Sequence, residues 1–93
     1  MPTFIVDYDL NAPGQDYSKI IARMKELGTG NFNFLKSSWF VYHPRFSSKE
    51  LFDYLSTAID KNDKILVVQI ASNYYGTLSK EAWEWLSKAF KLA

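Results

Sequence analysis

Apolar and polar residues alternate from Thr3 to Leu10 (TFIVDYDL), and the segment is rich in β-branched and aromatic side chains, which predicts an opening strand. Asn11-Ala12-Pro13-Gly14 reads as a turn, because proline presets φ and glycine tolerates positive φ. Asp16 then stands as a helix N-cap. Ile20, Ile21, Met24 and Leu27 follow at helical spacing, and Gly28 sits where a helix-ending glycine belongs. Asn31 to Lys36 predicts a short strand and Ser38 to His43 a stronger one, which Pro44 ends.

Ser47 or Ser48 caps a second helix, and Glu50 is spaced for a capping box with Ser47. Leu51, Phe52, Leu55 and Ile59 make its apolar stripe. Asn62-Asp63 turns the chain into the strand Lys64 to Ala71. Ser72 to Thr77 reads as a loop or a very short fifth strand. Ser79 caps a last helix with Trp83, Leu86 and Phe90 at spacings of three and four. The order strand, helix, strand, strand, helix, strand, helix predicts an α+β fold. Its form is a ferredoxin-like βαββαβ antiparallel sheet with an added C-terminal helix, one domain over residues 1–93.

Period two assigns faces to the outer segments. Phe4, Val6 and Tyr8 share one side of the first strand, and Ile5, Asp7 and Asp9 the other. In the last strand Leu66, Val68 and Ile70 oppose Val67, Gln69 and Ala71. The strongly apolar sides are expected beneath the first two helices. The mixed sides, with two carboxylates and an amide, are expected to stay uncovered and to receive a partner subunit.

Composition narrows the function classes. The chain has no cysteine, which excludes disulfides, thiolate metal sites and cysteine nucleophiles. Three tryptophans, six tyrosines and seven phenylalanines exceed what one small core needs, so part of them is expected at an interface. Eleven Lys+Arg against ten Asp+Glu show no basic excess of the kind that marks tight nucleic-acid binders. Apolar runs such as Ile65-Leu66-Val67-Val68 are far short of the ~20 residues that span a bilayer. No basic stretch precedes an apolar one near Met1. The expectation is a cytoplasmic protein with no membrane partner and no signal peptide.

Candidate chemistry is sparse. Asp7 and Asp9, two carboxylates on one strand face, can bind Mg²⁺ through oxygen ligands, and such a cation can activate water or stabilise charge at a phosphodiester. The competing reading makes the strand-end aspartate a turn former that bonds local N–H groups. His43 is the one histidine, so a zinc site has no second imidazole, and a structural role competes with that of general base. Ser37 and Ser38 have no evident triad partners. Lys36, Arg45 and Lys49 are either phosphate contacts or solvated charges. Gly28-Thr29-Gly30 leads into no phosphate-binding motif and reads as a helix stop. Tyr74-Tyr75 is a stacking platform or a dimer contact, and the contact is preferred.

The segment Phe4 to Asp9, running through Leu10 and Asn11-Ala12 into Pro13-Gly14-Gln15-Asp16-Tyr17, resembles CRISPR-associated protein two, the small dimeric subunit of the spacer-acquisition machinery, and more closely its SinR-like relatives. Ser38-Trp39-Phe40-Val41 and Asp63 to Gln69 fit the same pattern, and the likeness runs over residues 3 to 76. The resemblance implies a ferredoxin-like protomer in a two-fold homodimer formed through sheet faces. Some members are metal-dependent endonucleases with the aspartate that ends the first strand paired across the axis. Here that residue is Asp9, the expected catalytic residue and Mg²⁺ ligand. Others act only as a scaffold that helps hold DNA, with catalysis in a partner; for this chain the expected partners are a second copy, DNA or RNA, and a protein partner. The chain departs from the family in its Trp-rich last helix, where a fifth strand usually crosses to the other subunit, and in its weak basic balance.

Overall fold

The computed structural model describes residues 3–9, 18–59 and 63–91. The elements are β1 (Thr3–Asp9), α1 (Ser18–Glu26), β2 (Asn31–Leu35), β3 (Ser38–Tyr42), α2 (Ser48–Ser56), β4 (Lys64–Ile70) and α3 (Lys80–Lys91). The architecture is α+β, with a four-stranded antiparallel sheet in the order β2-β3-β1-β4 and three helices among the described residues. Leu10, the Asn11–Gly14 turn, the Asp16 cap and Asn62 lie outside the described residues. Residues 71–79 form no strand, so of the two readings of Ser72 to Thr77 the loop holds.

Local chemistry accounts for the element ends. Gly28 takes φ +67 just past α1, the left-handed conformation that closes a helix cheaply only at glycine. Ser47 and Glu50 form the expected capping box on α2, satisfying two otherwise orphaned N–H groups. The β2–β3 hairpin is irregular at Asn33 and Leu35, and the Asn33 amide donates to the Leu35 and Ser38 carbonyls to hold it.

The main core lies between one sheet face and α1 with α2. Phe4, Val6 and Tyr8 of β1 and Trp39 and Val41 of β3 pack there against Ile20, Met24, Leu51 and Leu55. Tyr54 joins the two helices. Its hydroxyl donates to the Arg23 carbonyl at 2.8 Å, and the Arg23 guanidinium lies 3.8 Å over its ring while donating to its carbonyl. Phe52, expected in the apolar stripe of α2, is exposed instead.

Two further expectations are overturned, and both concern the second sheet face. In β4 the residues under the helices are Ile65 and Val67, not Leu66, Val68 and Ile70, because Val67 pairs with Val6 and Leu66 with Asp7. Gln69 is therefore opposite Phe4, and Leu66 and Val68 share the side of the two aspartates. The second face is also not bare. α3 crosses it and forms a smaller core, with Ala82 and Leu86 buried against Phe40 and flanked by Phe32, Trp83, Trp85 and Phe90. Its deepest line is Ala82, Leu86 and Ala89; the small residues let the helix approach while the aromatics expected to lead the stripe lie half-buried beside it.

Candidate functional site

The site is the uncovered β1–β4 part of the second face, at the end where β1 stops. Pleating puts Asp7 and Asp9 on that face and leaves both exposed. Antiparallel pairing sets Asp9 opposite Lys64, and Asp7 between Ser38 on β3 and Leu66 on β4. An open depression of about 230 Å³ at this end is lined by Asp7, Tyr8 and Asp9 of β1 and Lys64, Ile65 and Leu66 of β4.

The two carboxylates are not equivalent. The Ser38 hydroxyl donates to Asp7 Oδ1 at 3.0 Å, which turns that carboxylate toward the sheet centre. Asp9 closes the strand at the register position opposite Lys64 and forms no ion pair with it within 4 Å. Among the described residues, no group of three or more His, Asp or Glu side chains is arranged to hold a metal ion. A cation at this end would find only the Asp9 and Asp7 carboxylates as acidic groups lining the depression. Mg²⁺ commonly binds through one or two carboxylates with waters and substrate phosphates completing its shell, so the pair fits such an ion only as part of a larger assembly.

The other sequence candidates divide by sheet end. The Ser37 carbonyl accepts the Tyr8 N–H at 3.2 Å, which holds the β2–β3 turn next to the Asp9 end. Lys36 in that turn and Lys64 at the start of β4 are both exposed at this end of the sheet. Arg45 and Lys49 follow the far end of β3, where Tyr42 pairs with Thr3, and Lys49 is held by Asp53 at 2.8 Å. Of the three cations considered in sequence, Lys36 alone shares the aspartate end. Lys64, which sequence reasoning passed over, joins it through the β1–β4 register.

His43 also lies at the far end and is 9% exposed. Its Nδ1 accepts the backbone N–H groups of Arg45 and Phe46 at 3.1 and 3.0 Å, and its ring stacks on Phe46 at 3.8 Å. Burial, and then the nearby Arg45 guanidinium, push its pKa below the ordinary histidine value, while Glu50 pulls it back up. A neutral imidazole that accepts two N–H bonds is a turn clamp, not a base for the aspartate end.

Tyr74 and Tyr75 lie in the loop before α3. Tyr74 stacks on Trp83 and Phe90 with centroids 6.0 and 5.7 Å apart, whereas Tyr75 stands fully in solvent. Leu66 and Val68 are 61% and 41% exposed on the same sheet face. Their apolar surface went unseen in the sequence, where they were expected under α1 and α2. No helix among the described residues is long and apolar enough to cross a membrane. No family model, curated protein or solved structure matches the chain.

Proposed function

We propose that the protein is a cytoplasmic, homodimeric, nucleic-acid-related module of ferredoxin-like fold, a scaffold whose protomers meet through the open part of the second sheet face. The fold reading is supported by the element order, two βαβ halves followed by a helix, and by the strand order with β1 and β3 central and β4 and β2 at the edges. The single observation that carries the dimer is the apolar pair Leu66 and Val68, exposed on a sheet face that α3 covers only in part. Exposed apolar surface rimmed by charge marks an interaction site more often than a solvated face. The nucleic-acid connection comes from the resemblance to the SinR-like proteins and is supported locally by the exposed Lys36 and Lys64 at the same end of the sheet.

A second reading has a specific observation in its favour. Asp7 and Asp9 share this open face, so a two-fold contact at the β1 end would bring four carboxylates together. In that reading Asp9 of each protomer would hold a Mg²⁺ ion, which would supply charge stabilisation at a phosphodiester and a more acidic bound water, the chemistry of an endonuclease.

Light scattering against concentration, paired with cleavage assays on DNA and RNA in Mg²⁺ or Mn²⁺, separates the readings. The scaffold reading expects a dimer, Leu66→Asp as a folded monomer, and no cleavage that depends on Asp9. The nuclease reading expects cleavage that Asp9→Ala abolishes. It also expects facing carboxylates to repel without metal, so that Asp9→Asn tightens the dimer in chelator by roughly 1 kcal/mol or more. A wild-type monomer at micromolar concentration refutes both.

A further inference from the structure

Beside the exposed Leu66–Val68 pair, the loop before α3 and the helix itself roof a second hollow over the sheet. It measures about 190 Å³ and is walled by Ile5, Phe34, Phe40, Ile70, Tyr74 and Trp83. Its wall is almost wholly apolar and aromatic, and Phe34 and Phe40 are stacked at 3.9 Å on one side of it. A cavity of roughly 150 Å³ with a comparable lining admits a benzene-sized ring, so this one has room for a single aromatic side chain. Tyr75 contributes to the lining at the rim and is 103% exposed, standing out into solvent.

We infer that Tyr75 of one protomer inserts into this aromatic hollow of a second copy, and that the partner's ring does the same in return. The inference rests on the homodimer reading and adds the residue that anchors it. A two-fold interface uses the same patch twice, so it must be self-complementary. Here the projecting ring and the recess that fits it lie side by side on one protomer. The recess is also continuous with the exposed surface: Ile5 in its wall pairs across β1–β4 with Val68. Aromatic anchors seated in pockets are the usual energetic centre of protein interfaces. The Asp9 end plays no part in it.

The test is dimer affinity by sedimentation equilibrium for wild type, Leu66→Asp, Tyr75→Ala and Tyr75→Phe, with circular dichroism as the check on folding. Tyr75 touches little within its own protomer, so its replacements are expected to fold as wild type does. Tyr75→Ala is expected to weaken dimerisation at least about a hundredfold, because each dimer loses two buried rings. Tyr75→Phe should dimerise within a few-fold of wild type. p-Cresol, the tyrosine side-chain analogue, should dissociate the wild-type dimer and shift the fluorescence of Trp83 in the pocket wall. If Leu66→Asp abolishes the dimer while Tyr75→Ala leaves it intact, the homodimer reading stands and the exchanged ring is overturned. A wild-type monomer whose fluorescence still responds to p-cresol makes the hollow a small-molecule site, and overturns both.

Discussion

His43 and Ser38 show how side chains with apparent chemical promise are used here for structure. The His43 imidazole accepts two backbone N–H groups and is stacked and buried, so its neutral form is the one that fits. The unfolded chain takes up a proton near the ordinary histidine pKa of about 6.5. The folded protein does so only at lower pH. Between those values the unfolded state binds more protons, so this contribution to stability is complete above the window and is lost as pH falls through it. Urea unfolding from pH 7 to pH 5 should show a declining midpoint. His43→Ala should cost about 1–3 kcal/mol at neutral pH, because two donors lose their acceptor, and should flatten that acid dependence. Ser38 belongs to the same class: its hydroxyl reaches Asp7, not a histidine. A single strand-end histidine is visible in any sequence. Its two donors are not, because they depend on the Pro44-Arg45-Phe46 turn folding back onto its ring.

Elements whose signals are local in the chain appear where the residues predict them. The α2 capping box is one case, and Ser47→Ala should lower stability by about 1 kcal/mol in thermal or urea unfolding. The clasp between α1 and α2 is different in kind. Tyr54 bonds Arg23 across thirty-one positions in the chain, so no periodicity announces it. Tyr54→Phe should cost about 0.5–1.5 kcal/mol while leaving the stacked guanidinium in place. α3 was legible as a helix from Trp83, Leu86 and Phe90, but its destination was not, since an amphipathic stripe says that a helix is covered and not by what. Leu86 is 1% exposed against the sheet, and Leu86→Ala should lose about 2–5 kcal/mol by opening a cavity there. The same substitution on an undocked tail would cost almost nothing, so the unfolding midpoint decides whether α3 belongs to the folded unit.

In the assembled molecule, the consequence of the α3 position is an asymmetric second face: one part sealed by aromatics, the other presenting Leu66, Val68 and the two aspartates. In the proposed homodimer, two copies that bury this open part would stabilise each other by mass action. The melting temperature should therefore rise as protein concentration is raised from about 1 to 100 μM, and Leu66→Asp should remove that dependence. Strand identity, helix ends, the shared face of Asp7 and Asp9 and the apolar side of β1 all follow from residues close together in the chain, because alternation, capping and turn chemistry act over a few positions. The side of β4 that turns inward does not. Ile65 to Val68 is apolar at every step, so alternation carries no phase, and a shift of one residue exchanges the faces. Pairing of Val67 with Val6 settles that phase, and with it brings Lys64 to Asp9 and leaves Leu66 in solvent. The placement of α3 is equally non-local, since it depends on which sheet face α1 and α2 have already filled.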